Sequence, residues 1–542
     1  MGSIDKPPGD EGMVHAAPDV VHRVKEVGGW VLAATIMGSS MTFIDGTAVI
    51  VALPVLQAEL NTTVVGVQWV VEAYTLFLAA LLLVGGSLGD RFGRRRIFAT
   101  GVALFAAASV WCGIAPDVYQ LIIARAVQGV GGALLVPGSL AIITAFFEEQ
   151  QRGSAIGTWA GFSAVTAALG PILGGWLTEN ISWRWIFFIN VPLAVMVLGI
   201  LFWRVPESRD EEASVKLDWW GALLTTIGLG AIVYGLIESA NLGLGNPVVI
   251  SALATGTVAL IAFIVVESRS PAAMMPLALF RSRTFSGANA LTLLLYAALA
   301  GALFFFPFNL MQVQGYSPTA AGAAFLPLTL VIFLLSRWAG GLVNRCGAKL
   351  PLTIGPVIAA MGYLLLAIPG IGGSYWATFF PGILVLGLGM GVIVAPLTTT
   401  VMGAVPLRQA GLASGINNAV SRVAWLLSIA VMGILVLHSF NSGLDTRLTT
   451  IEMSPEVRQM LDEQRIKLAG AKISAGVSSE VSKALERAIA ESFVTSFRWV
   501  MLIAAALAFA SAFSALAVIE GKKTCAPDAI DPSNEEGCER SH

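Results

Sequence analysis

Gly86-Ser87-Leu88-Gly89-Asp90-Arg91-Phe92-Gly93-Arg94-Arg95-Arg96 is a short basic interruption between two apolar runs. The stretch before it, Ala73 to Gly89, is uncharged, and so is the stretch after it, Ile97 to Pro116. A tight loop with four arginines between two membrane spans is expected on the cytoplasmic side, because Lys and Arg are retained there. The rest of the topology reads outward from this loop.

The bulk composition points the same way. The chain is 56% hydrophobic and only 12% charged, with a mean hydropathy of +0.78. A soluble chain carries about 25% charged residues, so this one is expected to be integral to a membrane. The net charge of -2 carries no information about nucleic acid, and no nucleic-acid partner is expected. Four cysteines, Cys112, Cys346, Cys525 and Cys538, are scattered without metal spacing or a disulfide framework. The polar run up to Val27 does not read as a signal peptide.

A span needs about 20 mostly apolar residues. Fourteen segments qualify: 29–52, 67–88, 97–115, 119–141, 153–178, 184–203, 217–238, 247–266, 285–311, 320–342, 350–369, 376–402, 411–437 and 494–519. With this count, the loops on the side of Arg91 hold Arg94, Arg95, Arg96, Arg152, Arg204, Arg209, Lys216, Arg269, Arg281, Arg283, Arg345, Lys349 and Arg408. Lys522 and Lys523 join them, whereas the short loops on the other side hold only Arg184. That bias supports both the count and the orientation, with both termini cytoplasmic.

The basic loop has an echo. Gly340-Gly341-Leu342-Val343-Asn344-Arg345-Cys346-Gly347-Ala348-Lys349 follows the tenth span, with Asn344 where the first copy has Asp90. If spans seven and eight are an inserted pair, each copy joins the second and third spans of a six-span set, an arrangement of transporters. The expected organisation is a tail 1–28, a six-helix bundle 29–203, a linker with two extra spans 204–284, a second six-helix bundle 285–519 and a tail 520–542. Segment 438–493 reads as an outer helical hairpin, with a helix start at Ser454-Pro455, a stop at Gly470 and a second start near Ser479.

With these features the chain resembles the major facilitator superfamily, and within it the fourteen-span drug:proton antiporters. Besides the Gly86–Arg96 loop, the resemblance rests on Asp45-Gly46-Thr47-Ala48-Val49-Ile50-Val51-Ala52-Leu53-Pro54 in span one. It rests also on Arg125-Ala126-Val127-Gln128-Gly129 in span four and on Gly161 through Gly170-Pro171-Ile172-Leu173-Gly174-Gly175 in span five. The run Trp183-Arg184-Trp185-Ile186-Phe187-Phe188-Ile189-Asn190-Val191-Pro192 is similar to this branch as well. Ile50 departs from the pattern, which usually has Asn there. The resemblance implies an all-α integral membrane protein with two six-helix bundles and two linker helices. It also implies that Arg125 serves proton transfer and that the span-five pattern marks an exporter.

The residues support a physical reading of their own. Asp45 is a lone charge deep in span one, a position that costs about 3 kcal/mol on insertion scales and is usually functional. Burial disfavours a charged carboxylate and a nearby cation favours it. An Asp45 that gains and loses Arg125 would therefore release and bind a proton. Glu72 is a second candidate for proton coupling, placed either in a cavity near Asp45 or at the interface, snorkelling. Asp90, Arg91, Gly93 and Arg94 are read as a latch, and Gly170, Pro171, Gly174 and Gly175 as a close-packed, bendable segment. Trp69, Tyr74, Gln128, Tyr296, Phe304, Phe308 and Phe325 are the candidate substrate lining.

No GxxxxGK[ST], HExxH or nucleophile triad occurs, so neither an enzyme nor a nucleotide-driven pump is expected, and no cofactor or metal. No Asp or Glu lies in the core of spans nine to fourteen, which favours monovalent cationic, neutral or amphipathic lipophilic substrates over divalent cations. The expected function is proton-coupled export of such compounds by a monomer in the inner (plasma) membrane of a bacterium, in contact with its lipids. A lipid, amphiphile or dedicated metabolite translocator of the same fold is the alternative.

Overall fold

The structure is a computed structural model that describes residues 18–209, 218–270, 273–406, 409–471 and 478–520. Most of the two tails lies outside the described residues, as do Lys216, Arg408, Lys522, Lys523 and the side chains of Ala164, Arg337 and Asn344.

Among the described residues, fourteen helices are long and apolar enough to cross a membrane. They are α1 (Val27–Glu59), α2 (Val64–Phe92), α3 (Arg94–Ile114), α4 (Val118–Phe146), α5 (Gln151–Asn180), α6 (Trp185–Arg204) and α7 (Trp219–Leu242). The series continues with α8 (Pro247–Arg269), α9 (Arg283–Val313), α10 (Pro318–Ser336), α11 (Lys349–Leu366), α12 (Phe380–Gly403), α13 (Ala410–Leu448) and α14 (Ser479–Val518). In hydrocarbon every backbone polar group must be paired within the protein, so helices are the form these apolar runs take, and the chain is a multi-pass membrane protein.

Local chemistry sets the ends. Thr63 Oγ1 accepts from Gly66 N (3.1 Å) at the start of α2, and Asp117 Oδ1 accepts from Gln120 N (2.9 Å) at the start of α4. Asn246 does the same for α8, where Pro247 occupies the first helical position. Gly93 separates α2 from α3 at φ 107°, a left-handed conformation that favours glycine. Pro307 precedes a π-helical turn, Asn309–Val313, that ends α9.

Segment 438–493 continues the spans on either side of it. α13 continues to Leu448, and α14 is already formed at Ser479. Between them lie a short helix, Pro455–Gln464, capped by Ser454, and a 3₁₀ turn, Arg465–Gly470. His438 to Leu448 contains no proline, so nothing in the local chain stops α13 at the edge of its apolar run.

The chain divides into two compact units. One comprises Met1–Met275, Leu303–Leu326 and Ile429–Phe493; the other comprises Pro276–Ala302, Pro327–Ser428 and Val494–His542. The first has a core that includes Tyr74, Leu78, Phe98, Phe105, Leu135 and Val197, contributed by α2, α3, α4 and α6. In the second, α11 and α12 approach through glycines. A Cβ at Gly389 would stand 2.5 Å from Ala359 N, and one at Gly362 would stand 2.6 Å from Leu386 N. Asn417 Nδ2 donates to Asn289 Oδ1 (3.1 Å) and Thr292 Oγ1 (2.7 Å) in the same unit.

The α11–α12 contact generates a prediction. Gly389→Ala should lower stability by about 1–3 kcal/mol through overpacking. Gly199→Ala, where a Cβ meets nothing within 4 Å, should leave stability unchanged or raise it by up to about 1 kcal/mol through helix propensity. Thermal unfolding of both variants in detergent would check this; equal melting of the two would contradict the close approach.

Candidate functional site

The paired group sits inside the first unit. α1 brings Asp45 and α4 brings Arg125 and Gln128, one helical turn apart; their exposures are 0%, 1% and 0%. Arg125 Nη1 binds Asp45 Oδ2 directly. The same nitrogen donates to Gln128 Oε1 (2.7 Å), and Gln128 Nε2 donates to Asp45 Oδ1 (2.9 Å). Both carboxylate oxygens are thus held, one by a cation and one by an amide. Arg125 Nε donates to the Val70 carbonyl of α2 (3.1 Å), and its guanidinium carbon lies 4.3 Å from the Tyr74 ring centre. A desolvated cation over an aromatic face gains roughly 2 kcal/mol, so α2 anchors the cation on both its edge and its face.

Around the pair is a shell that the sequence reading did not single out. Ser109 Oγ of α3 receives Gln128 Nε2 (2.9 Å) and Asn190 Nδ2 of α6 (3.3 Å), and donates to Phe105 O (2.8 Å). Cys112 Sγ lies 3.6 Å from Gln128 Oε1. Ser109, Cys112 and Asn190 sit in largely apolar runs, and only the packing of α3, α4 and α6 brings them together. Ile50 is buried, and no member of this cluster bonds to it.

Glu72 does not join this group. It is fully buried, and neither carboxylate oxygen has a hydrogen-bond partner among the described residues. Of the candidate lining residues, Tyr74 and Gln128 belong to the Asp45 cluster. Trp69 turns instead to α7, where Nε1 donates to Glu238 Oε1 (3.1 Å). Phe304 and Phe308 are fully buried in an aromatic group with Phe305, and Phe325 meets Phe306 edge-on at 5.4 Å. Tyr296 lies in the second unit.

The span-five segment packs directly beside Asp45. A Cβ at Gly174 would stand 2.6 Å from the Ala48 carbonyl of α1, and one at Gly170 would collide with Thr47. On its other flank the segment touches the start of α10, where Gly175 faces Pro318 and Gly322 faces Pro171 through backbone atoms. Glu179 Oε2 accepts from Thr319 N (2.9 Å) at the same contact.

The basic loop is ordered by two carboxylates. Asp90 pairs with Arg94 (2.7 Å) one turn along. Glu207, after α6, accepts from Arg95 N (3.0 Å) at the start of α3 and lies 3.7 and 3.6 Å from the Arg95 and Arg96 side chains. Its carboxylate occupies the space that a Cβ on Gly93 would need, 2.7 Å away. Arg91 lies over Phe92, at 5.3 Å. At the opposite end of α2, the 3₁₀ turn covers the α1–α2 connection. Gln57 Nε2 donates to Lys467 O (3.3 Å), Lys467 Nζ donates to Asn61 Oδ1 (2.8 Å), and Gln312 Nε2 donates to Gln57 Oε1 (2.9 Å).

The pair's energetics can be measured. Removing one partner of a buried ion pair costs about 3–5 kcal/mol, whereas replacing both by apolar groups is often close to neutral. Arg125→Leu should therefore melt well below the wild type in detergent, and Asp45→Leu/Arg125→Leu should recover most of the loss. A double variant no better than the single one would show that the two residues do not share their desolvation.

Comparison with known proteins agrees with this architecture. The family profile of the Major Facilitator Superfamily matches residues 35–429. The multidrug resistance protein Stp of Mycobacterium tuberculosis is 34% identical over 446 residues, covering 82% of each chain. The tetracenomycin C resistance and export protein of Streptomyces glaucescens is 34% identical over 412 residues, 75% of each chain. The puromycin resistance protein pur8 of Streptomyces alboniger is 37% identical over 409 residues, 74% of this chain and 80% of the relative. Among solved structures, a bacterial homologue of the human lysosomal transporter Spinster superposes with a TM-score of 0.64 at 18% identity, covering 91% of this chain and 98% of the other. A D-xylose–proton symporter gives 0.56 at 16% identity, covering 93% and 99%. With the profile match, the identity to these relatives and the shared fold, the chain belongs to the major facilitator superfamily of membrane transporters and is not an enzyme.

Proposed function

We propose that this protein exports lipophilic small molecules, monovalent cationic or neutral, in exchange for protons. It would work by alternating access in the plasma membrane of a bacterium, with both termini cytoplasmic. The observation that carries the reading is the buried Asp45–Arg125 pair, a titratable carboxylate locked to a cation in the membrane interior. The names of the three relatives, all resistance proteins, support drug export as the task.

In the proposed cycle, Asp45 is bare and paired with Arg125 while the substrate enters from the cytoplasm or the inner leaflet. After the switch, a proton from outside neutralises Asp45, and Arg125 loses its counter-charge. Gln128 keeps its bond to Ser109, the substrate leaves, and the protonated carrier returns and gives its proton to the cytoplasm. The α5 glycine segment touches α1 two to three residues beyond Asp45, so a shift of α5 is delivered to the carboxylate-bearing turn. One charge crossing 100 mV is worth about 2.3 kcal/mol; at about 1.4 kcal/mol per tenfold ratio this sustains roughly a forty-fold gradient.

A dedicated exporter of one metabolite is the second reading, favoured by the relative named for tetracenomycin C. Inside-out vesicles with an imposed pH gradient test both. Lipophilic cations and neutral drugs should release protons in the wild type and not in Asp45→Asn. A response to one compound class alone would select the dedicated exporter. Silence toward the whole panel from folded protein would sink drug–proton exchange.

A further inference from the structure

Arg422 is the one charged residue in the apolar run 411–437 of α13, and nothing in the Asp45 cluster uses it. It stands about 18 Å along the helix from Ala410, within a hydrocarbon layer about 30 Å thick. In the second unit α13 packs on α9 along a polar seam. Asn417 Nδ2 donates to Asn289 Oδ1 (3.1 Å) and Thr292 Oγ1 (2.7 Å), and Ser428 Oγ donates to Ala297 O (2.6 Å). Counted around the helix axis from Asn417, Trp425 lies at roughly 80°, Asn418 at roughly 100° and Arg422 at roughly 140°. These three share a flank beside the seam, where Asn418 is exposed and Arg422 and Trp425 are half-buried. Tyr296 of α9 lies close enough to feel the charge of Arg422. Ser421 Oγ is spent on Asn418 O (2.8 Å).

No ion pair or hydrogen bond among the described residues holds this guanidinium. The unit has no counter-charge to give it: among its described residues the sole carboxylate is Glu520, beyond the end of α14 at Val518. The other arginine deep in a span, Arg125, has Asp45, Gln128, the Val70 carbonyl and the Tyr74 ring. A charge at membrane depth faces a bundle interior or a watered path rather than lipid tails. A guanidinium cannot shed its proton to escape its charge, so its partner is a molecule that comes to it. Its planar fork of N–H groups matches the two oxygens of a carboxylate through parallel hydrogen bonds. Trp425 offers a ring face on the same flank, and Asn418 a further amide. A cation would meet repulsion there.

We propose that Arg422, with Tyr296, Asn418 and Trp425 around it, is a subsite for the acidic group of a lipophilic carboxylic acid. This deepens the export reading and rests on it: among the neutral compounds named there, it selects weak acids. Such an acid passes through the leaflet in its neutral form. It gives its proton to water at the exposed flank and binds Arg422 as the carboxylate, with its apolar body against Trp425. Arg422 then sets the preference among substrates, and Asp45 carries the proton that is exchanged.

The test is equilibrium binding to the full-length protein in phosphatidylcholine nanodiscs, with binding to empty nanodiscs subtracted. The probes are naphthoate, its neutral isostere naphthamide, and ethidium as a cation. The wild type should bind naphthoate about tenfold or more tighter than naphthamide, the range of a hydrogen bond to a charged group. Arg422→Gln should erase that preference and leave ethidium binding unweakened. Equal affinity of the wild type for naphthoate and naphthamide, or a preference that survives in Arg422→Gln, overturns the assignment. If Arg422→Gln fails to fold, Arg422→Lys replaces it. Lysine keeps the charge but lacks the fork, so the preference should fall, and an undiminished one overturns the assignment. Proton release in inside-out vesicles separates the two readings. Naphthoate bound through Arg422 with no proton release by any probe keeps the subsite and defeats proton-coupled export. Proton release by ethidium with no naphthoate preference defeats the subsite and keeps export.

Discussion

The first unit is organised around the cost of keeping an arginine and an aspartate out of water. An ion pair in a low-dielectric interior survives only when its remaining hydrogen-bonding capacity is also met. That demand explains why α1, α2, α3, α4 and α6 each contribute to one cluster: Asp45, the Val70 carbonyl and Tyr74 ring, Ser109, Arg125 with Gln128, and Asn190. The amide of Gln128 is central because it accepts from the guanidinium while donating to the carboxylate and to Ser109. A carboxylate could not donate at all, and a hydroxyl, with a single proton, could not donate to both Asp45 and Ser109. The cluster therefore ties one buried ion pair to the packing of five helices.

Much of this was legible in the sequence because membrane segments obey simple rules. Apolar length gave the spans, arginine placement separated the loops, and a lone Asp in one span opposite a lone Arg in another pointed to a pair. What stayed hidden depends on rotation about each helix axis. Glu72 and Tyr74 are two residues apart, yet they face opposite ways. Ser109 and Asn190 look like incidental polar residues until α3 and α6 turn them toward Gln128. Phe304 and Phe308 read as pocket lining but pack on one another and Phe305, since an aromatic run at helical spacing serves a core as well as a cavity.

Small residues do for the helices what the cluster does for the charges. Gly170 and Gly174 let α5 lie on α1 immediately beyond Asp45, and Gly175 and Gly322 let it meet the start of α10 through bare backbone. Only short side chains, those of Thr47 and Ala48, stand at the α1 contact, and backbone alone meets at the α10 contact, so a movement of α5 presses directly on its neighbours. Close packing of this kind transmits small shifts, because interiors have few voids to absorb them.

Glu207 has a consequence in the order of synthesis. It closes on the backbone of Arg95 from 112 residues further along the chain. When the α2–α3 hairpin leaves the ribosome, the loop arginines have Asp90 beside them but not yet Glu207, and their charge is then at its fullest for orienting the hairpin in the bilayer. The acid that later caps α3 and draws in Arg95 and Arg96 arrives only after α6 has been made. Separation in time lets one set of arginines act first as an orientation signal and afterwards as a structural joint, without the second task weakening the first.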